Sequence, residues 1–306
     1  MVKVLFIVGP TAVGKTKLSL RLAHRFNGEV ISCDSMQVYQ KLNVGTAKLM
    51  PEDRQGIPHH LIGILNVDQR YSVANFVQDA LKWIRVIHRR HRLPMIVGGS
   101  NLYLQALLDD LHLGGDHFRG FGTRRKLKNY ADQHGQKALW LRLKRVDPKY
   151  AEKTPYQNER RVIRALEVYL TTHHRFSEQK LAPRRSLDPL IIGLNTNRPR
   201  LYRRINHRVD LMMVNGLVNE ARWLFKRGGR ELPAGMGIGY HELYPYFEHR
   251  ISLARAVQLI KRDSRHYAKH QLTWFRNKMP VNWYDLILHP GRIRVVNRQI
   301  REWLSN

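Results

Sequence analysis

Acidic residues are scarce in this sequence of 306 residues. Only 24 Asp and Glu oppose 53 Lys and Arg, which gives a formal net charge of +29. An excess of this size attracts polyanions and speeds their encounter with the protein. Nucleic acid is therefore the first partner to consider, and an anionic membrane surface is the second. A general basic bias of the organism's proteins is the alternative explanation.

Cysteine and long apolar runs are almost absent as well. Cys33 is the single cysteine, which excludes an intrachain disulfide and a zinc site built from several thiolates. A reducing cytoplasm fits this composition. No apolar stretch has the length of a membrane span, and Gly9 and Pro10 interrupt the N-terminal run before it resembles a signal peptide. We expect a cytoplasmic protein without membrane contact.

The N-terminal part alternates buried strands with helices. Residues 2–8, 28–32 and 93–97 are short apolar runs bounded by turn residues, which predicts strands. Residues 15–26 and 76–91 have helical spacing of apolar side chains. Alternation of this kind predicts the α/β class, with a P-loop NTPase-like parallel sheet flanked by helices.

The pattern changes after Leu113, where glycines crowd a short polar stretch. From 124 to about 185 the spacing is helical, as at Val162, Leu166 and Tyr169, and we find no convincing buried strand. Residues 190–194 restore a strand, and mostly helical sequence follows. We therefore divide the chain into a core (1–113 and 188–306) and a small, mostly helical insertion (114–187).

A phosphate-binding loop follows the first predicted strand. Its sequence satisfies G-x-x-x-x-G-K-[ST]. The glycines let backbone N–H groups surround a diphosphate, the lysine adds positive charge, and the final hydroxyl can hold Mg²⁺. This predicts pyrophosphate binding, without specifying ATP, by Gly9, Pro10, Thr11, Ala12, Val13, Gly14, Lys15 and Thr16.

The acidic residue of this site follows the second strand. Many P-loop NTPases have a further strand that ends in a metal-binding acid, but residues 93–97 are followed by two glycines and Ser100. Because carboxyl ends of parallel strands face one crevice, we expect Lys15, Thr16, Asp34 and Ser100 to converge. Asp34 is then a candidate general base. A Mg²⁺ ligand and a helix N-cap are the alternatives.

Motifs spread along the chain resemble those of the bacterial tRNA dimethylallyltransferase family, also called tRNA isopentenyl-adenosine transferases. The resemblance extends from Val4 to about Arg276. In chain order its motifs are GPTAVGKT (9–16), DSMQVY (34–39), GTAK (45–48), PHHL (58–61), VGGSNLY (97–103), RRVIRALEV (160–168), RVDLMM (208–213), GIGYHE (237–242) and RHYAKHQLTWFR (265–276).

The resemblance implies a reaction. A dimethylallyl group moves from dimethylallyl pyrophosphate to N6 of adenine 37, next to the anticodon of tRNAs that read codons starting with U. The products are N6-isopentenyladenosine and pyrophosphate. The implied partners are the tRNA anticodon stem-loop and dimethylallyl pyrophosphate, the implied cofactor is Mg²⁺ bound near Thr16 through the pyrophosphate, and we expect a monomer. A P-loop small-molecule kinase and a non-catalytic RNA-binding P-loop protein remain the alternatives.

The resemblance also implies roles for single residues. Asp34 is the base for the adenine amine, Ser100 contacts the bridging or leaving oxygen, and Arg208 helps the loop to hold pyrophosphate. The residues implied to contact tRNA are Asp34, Ser35, Met36, Gln37, Ser100, Arg124, Arg160, Arg161, Val162, Ile163, Arg164, Met236, Gly237, Ile238, Gly239, Tyr240 and His241.

Some positions depart from the family pattern, and they include Ser100, Asn101, Asn158, His173, His241 and His270. Ser100 keeps a hydroxyl where the family has threonine, but serine is less rigid about χ1. None of the departures removes Lys15, Thr16, Asp34 or Arg208, so the chemistry of the family is expected to be intact.

Basic residues recur every four positions in the last long predicted helix, at Lys261, Arg265 and Lys269. This spacing places them on one face. Trp274, Phe275 and Arg276 follow directly. A cationic face beside aromatic rings suits phosphate contacts and base stacking, and an ordinary solvated helix face is the alternative.

Overall fold

The structure is a computed structural model that describes residues 1–108, 121–178 and 187–306. The chain forms two compact units, one from Met1–Leu104 with Ser186–Asn306 and the other from Gln105–Arg185. The expected domain boundary between residues 113 and 114 lies outside the described residues.

The first unit alternates strands and helices over its N-terminal part. The elements are β1 (Val2–Val8), α1 (Lys15–Arg25), β2 (Gly28–Cys33), β3 (His59–His60), α2 (Val73–Arg89), β4 (Leu93–Gly98) and α3 (Asn101–Leu108), whose last turn belongs to the second unit. The second unit continues with α4 (Phe121–His134), α5 (Gln136–Val146), α6 (Pro148–Glu152) and α7 (Glu159–Thr172).

The chain then returns to the first unit. Its remaining elements are β5 (Leu187–Leu194), α8 (Arg198–Val214), α9 (Leu217–Lys226), α10 (Tyr244–Phe247), α11 (Leu253–Lys278), β6 (Asn282–Tyr284) and α12 (Ile293–Ser305). None of the helices in the described ranges has the length and apolar character that crossing a membrane requires.

The strands form one six-stranded sheet in the order β3-β2-β4-β1-β5-β6. Every neighbouring pair is parallel. Strand β1 lies in the interior of the sheet, and Val4 to Val8 have no solvent exposure. A strand covered on both faces needs apolar residues at consecutive positions, which explains the unbroken run in this segment. The predicted α/β fold with a parallel sheet is confirmed.

The sequence did not predict strands β3 and β6, and it placed the start of β5 too late. The first two have only two and three residues, which is too short for a hydrophobic pattern. Pro189 discourages a strand assignment because it has no N–H to donate. The proline is tolerated because β6 pairs with β5 only from Ile192 onwards, so one side of the strand is open at Pro189.

Apolar clusters stabilise the first unit, and two of them lie near the predicted site among the described residues. One joins the sheet to α1 and α12, with Leu22, Ile192 and Val296 at its centre. The other surrounds Tyr240 and Tyr244, both fully buried, and takes side chains from α8, α9 and α11. The second cluster fixes the segments that face the carboxyl edge of the sheet.

The described part of the second unit is helical, as expected for the insertion. Leu139, Leu143 and Val162 are fully buried in its core. Helix α7 ends at His173, which has a φ of 57° in the left-handed region. Glycine is the usual residue at such a helix end, so His173 occupies a position at which glycine would be less strained.

Candidate active site

The phosphate loop connects β1 to α1, as its motif predicts. Gly9 has a φ of 140°, and a Cβ at this position would lie 2.4 Å from the carbonyl oxygen of Leu194. Gly14 precedes α1 with a φ of 106°. Both positions therefore require glycine. The loop presents the N-terminus of α1, where unpaired backbone N–H groups attract anions.

Lys15 projects into this loop. Its Nζ donates to the carbonyl oxygens of Gly9 and Pro10, each over 2.8 Å. Burial, and then nearby Arg208, lower the pKa of Lys15 to about 7, while Asp34 opposes the shift. The residue as a whole is only half-buried, so the desolvation concerns its ammonium end. A bound polyanion would favour the charged form again.

Lys15, Thr16, Asp34 and Arg208 line one cleft. The sequence predicted that Lys15, Thr16, Asp34 and Ser100 would converge; of the described residues that line this cleft, Gly99 is present but Ser100 is not. The cleft has a volume of about 380 Å³. Its other lining residues include Thr11, Gly98, Gly99, Arg204, His207, Tyr267 and Gln271. Three cationic side chains and a carboxylate therefore meet at the carboxyl edge of the sheet, where open parallel sheets bind ligands.

Asp34 begins a tight turn directly after β2. Its Oδ1 accepts the N–H groups of Met36 at 2.9 Å and Gln37 at 3.3 Å. Residues 35–38 form a turn, so the interpretation of Asp34 as a helix N-cap is wrong. Among the residues that the structure describes, Oδ2 of Asp34 has no hydrogen-bond partner, which leaves this oxygen able to accept a proton or bind a cation.

Ser100 is tied to the turn that carries Asp34. Its Oγ accepts the N–H of Ser35 at 3.1 Å. The preceding glycines permit this approach: a Cβ on Gly98 would lie 2.0 Å from the carbonyl oxygen of Cys33, and one on Gly99 would lie 2.2 Å from Nε2 of Gln271. The paired glycines are thus required by close packing on β2 and α11.

Arg208 reaches the cleft from α8. Its Nη2 lies 3.5 Å from the carbonyl oxygen of Thr46, which also accepts Nε2 of Gln37 at 3.2 Å. Burial lowers the pKa of Arg208, and the Asp34 carboxylate raises it in part. The guanidinium remains charged because its ordinary pKa is so high. Arg208 therefore contributes positive charge to the cleft that Asp34 also lines.

The sequence analysis did not predict three residues of the site. Two of them nevertheless lie in a motif that it recognised. Gln271 joins Thr11 to Gly99 through both ends of its amide. Tyr267 lines the cleft one turn earlier. Glu220 accepts the N–H groups of residues 43–45. A lone polar residue on an amphipathic helix resembles a solvated one, so only the motif RHYAKHQ pointed to the first two.

The two segments of the first unit that resemble tRNA-contacting motifs adjoin each other. Met36 packs on Gly237, where an added Cβ would lie 2.4 Å from the methionine Cε. Met236 is 53% exposed, whereas Tyr240 is fully buried. The Nδ1 of His241 contacts the carbonyl oxygen of Gly237 at 3.1 Å. Residues 34–37 and 236–241 are thus in direct contact. Tyr240 within the second segment is buried and supports the packing of the protein.

In the second unit, the segment 160–164 exposes only part of its side chains. Arg160 and Arg161 are exposed, while Val162 and Ile163 lie in the core. Contact with RNA from this segment would therefore come from its arginines. The Nη2 of Arg124 pairs with Oε2 of Glu167 at 2.7 Å.

The cationic face predicted on α11 lies partly against α8. Lys261 pairs with Asp210 at 2.5 Å, and Arg265 donates to Oδ1 of Asn206 at 2.7 Å. Lys261 and Arg265 therefore attach α11 to α8, and contact of these cations with RNA stays a prediction. Phe275 has no solvent exposure, so the prediction of base stacking is wrong for its buried ring. Lys269 remains exposed.

Two other features of the first unit resemble binding sites. His241, Glu242 and Asp263 bring donor atoms within 4.8 Å of one another, but Asp263 already pairs with Arg262 at 2.7 Å. A cavity of about 750 Å³ beside the ends of β5 and β6 is lined by Arg198, Tyr202, Lys269 and Trp283, among others. It is larger than the cleft, yet it contains none of the phosphate-loop residues. The chemistry therefore belongs to the smaller cleft.

Comparison with known proteins identifies the family of this chain. The tRNA dimethylallyltransferase of Limosilactobacillus reuteri is 53% identical over the whole of both chains, and that of Ligilactobacillus salivarius is 50% identical over 99% of both. The tRNA isopentenylpyrophosphate transferase structure from Bacillus halodurans is 43% identical, with a TM-score of 0.75 over 100% of this chain and 97% of the other.

A eukaryotic dimethylallyltransferase acting on tRNA is 29% identical, with a TM-score of 0.83 over 100% of this chain and 80% of the other. The family described as IPP transferase matches residues 37–278, a range that contains Ser100, Arg208 and Gln271. The chain therefore belongs to the IPP transferase family, that of the bacterial tRNA dimethylallyltransferases.

Proposed function

We propose that this protein transfers a dimethylallyl group from dimethylallyl pyrophosphate to N6 of adenine 37, next to the anticodon of tRNAs that read codons starting with U. The names of relatives that are 50 to 53% identical over nearly their whole length support dimethylallyl transfer to tRNA. The observation that carries the proposal is the meeting of Lys15, Thr16, Asp34 and Arg208 in one cleft.

The phosphate loop receives the pyrophosphate of the donor. Loop N–H groups, Lys15 and Arg208 neutralise the negative charge that grows on this group as the bond from the allylic carbon to oxygen breaks. The lowered pKa of Lys15 suits this role. The ammonium ion is poorly stabilised by the protein alone and gains most when an anion is bound.

Asp34 receives the proton from the acceptor. As the exocyclic N6 of adenine forms its bond to the allylic carbon, it loses a proton, and Oδ2 of Asp34 is available to take it. Adenine N6 is a poor nucleophile, so alignment of the two substrates must contribute strongly. The base must also leave the anticodon-loop stack, which is common for modified bases in single-stranded loops.

Magnesium fits the oxygen atoms of this cleft. Thr16 lies at the start of α1, where its hydroxyl lines the cleft. Hydroxyl and carboxylate oxygens together with phosphate oxygens are the ligands that Mg²⁺ prefers. When bound, the ion would add positive charge at the pyrophosphate. Thr16 is the residue that we assign to it, through the pyrophosphate.

The remaining partner is the anticodon stem-loop. A net charge of +29 and the exposed Arg160 and Arg161 support RNA as the polyanion that this surface attracts. We further propose that the protein acts as a cytoplasmic monomer, in keeping with its single cysteine, which is buried.

The test is incorporation of labelled dimethylallyl into an anticodon stem-loop with adenine at position 37. Asp34→Asn is the informative variant, because it keeps an oxygen for the N–H groups of Met36 and Gln37 while removing the base. We expect its turnover to fall by at least about 10²-fold. Asp68→Asn, a change at an exposed carboxylate, is the matched control. Phosphoryl transfer from ATP without prenylation would instead identify a small-molecule kinase.

A further inference from the structure

Gln271 is a buried amide in the middle of α11 that uses both of its ends. Its Oε1 accepts the N–H of Thr11 at 3.0 Å, and its Nε2 donates to the carbonyl oxygen of Gly99 at 2.9 Å. Only 3% of the residue is exposed. A buried amide with both ends paired has one preferred orientation, because turning it over would oppose donor to donor and acceptor to acceptor.

The two partners of Gln271 belong to the two halves of the proposed active site. Thr11 lies within the phosphate loop, which receives the leaving group. Gly99 precedes Ser100, whose Oγ accepts the N–H of Ser35 next to the base Asp34. One side chain thus connects the donor side of the cleft with the acceptor side.

The surrounding packing leaves this amide little freedom. A Cβ on Gly99 would lie 2.2 Å from Nε2 of Gln271, so the helix and the turn are in close contact. Tyr267, one turn earlier on α11, has its hydroxyl close to both Gln271 and Ser100. The phosphate loop, the turn at Ser100 and α11 therefore form one connected network.

We infer that Gln271 is a positioning residue that sets the distance between the bound pyrophosphate and the turn carrying Ser100 and Asp34. The inference rests on the proposed function. Gln271 has no charge and no proton to exchange at neutral pH, so its effect on the reaction comes from alignment. Reacting atoms must approach to about 3–3.5 Å, and a misplacement of about 1 Å can cost about 10²-fold in rate.

Gln271→Met and Gln271→Glu separate alignment from packing. Methionine has nearly the same length and shape and removes both hydrogen bonds. Glutamate keeps the acceptor for the Thr11 N–H and loses the donor to Gly99. Gln258→Met is the control, because Gln258 lies on the same helix and is exposed.

The measurements are kcat and KM for the stem-loop, the affinity for pyrophosphate by calorimetry, and the melting temperature. For Gln271→Met we expect kcat to fall at least about tenfold, with KM for RNA within about twofold of the wild type, since alignment rather than RNA binding is lost. Gln271→Glu should lower kcat as well while retaining pyrophosphate binding, because the loop contact survives.

Different failures have different meanings. If the wild type transfers no label, the proposed function is wrong, irrespective of Gln271. If the wild type is active and Gln271→Met keeps its kcat with only a lower melting temperature, the amide is a packing residue and the inference is wrong. If Gln271→Met does not fold, Gln271→Glu decides: unchanged kcat in this variant overturns the alignment role, and a reduced kcat with intact pyrophosphate binding supports it.

Discussion

The hydroxyl of Tyr240 donates to Oε1 of Glu220 across 2.7 Å, and both residues lie behind the candidate active site. The same carboxylate accepts the backbone N–H groups of residues 43–45 at 2.7 to 2.9 Å. Burial and the nearby carboxylate raise the pKa of Tyr240 far above its ordinary value, so the phenol stays a donor. Glu220 thereby fixes the loop that ends at Thr46, the carbonyl partner of Gln37 and Arg208.

Removal of the Glu220 carboxylate should destabilise the protein strongly. Glu220→Ala leaves three N–H groups and one hydroxyl without their acceptor, and an unsatisfied buried donor costs roughly 1–3 kcal/mol. Tyr240→Phe removes a single hydrogen bond and should cost about 1 kcal/mol. Chemical denaturation measures both. Equal losses in the two variants would show that the backbone contacts of Glu220 contribute nothing to the free energy of unfolding.

Binding of pyrophosphate should be linked to protonation of Lys15. The pKa of Lys15 is lowered to about 7 in the free protein, first by burial and then by Arg208. A bound anion raises it, so above pH 7 the free protein must take up a proton on binding. Affinity should therefore fall as pH rises from 7, by up to about tenfold per unit, and should not depend on this group well below pH 7.

Lys15→Arg is the control for this linkage, because arginine stays charged throughout the range. Titration of pyrophosphate itself affects both proteins equally, so the difference between their pH profiles reports Lys15 alone. Calorimetry between pH 6 and 9, in buffers with different ionisation enthalpies, measures the proton uptake directly. Identical profiles for the two proteins would contradict the shifted pKa.

Affinity for the stem-loop should depend steeply on salt. Each phosphate neutralised in a single-stranded region contributes a slope of about −0.7 in log K against log salt. Replacing Arg160 and Arg161 by glutamine should make the slope shallower by about 1.4 if each contacts one phosphate. The same change at the exposed Arg85 and Arg89 of α2 removes equal charge and should have less effect. A slope near zero for the wild type would exclude binding driven by charge.

The sequence predicted the sheet and the phosphate loop because their signals are local. The buried run of β1, the two glycines of the loop and Lys15 follow from neighbouring residues alone. Strand β6 is too short for such a signal. The pattern of α11 correctly placed Lys261 and Arg265 on one face. The sequence pattern does not indicate that α8 packs against this face, because the two helices are distant in the chain. Gln271 was missed for the same reason, since its burial depends on two distant loops.

Ser100 should contribute to the transition state more than to substrate binding. Its Oγ accepts the N–H of Ser35, and its hydroxyl proton, which lies close to Tyr267, can turn to an oxygen of the bound pyrophosphate. A donor directed at charge that develops on leaving pyrophosphate is worth up to about 10²–10³-fold in kcat. Serine rotates more freely than threonine, so we expect an effect near or below the lower end for Ser100→Ala, with little change in pyrophosphate affinity.

Ser100→Thr provides the converse test, because it restores the residue of the family motif and restricts χ1. It should keep or raise kcat. A purely structural role would appear differently: Ser100 lies at the start of α3, and the loss of a helix cap costs about 1 kcal/mol in stability. However, its Oγ accepts the N–H of Ser35 and, among the described residues, caps no helix, so the melting temperature of Ser100→Ala should change little. A normal kcat with a lowered melting temperature would assign Ser100 to structure alone.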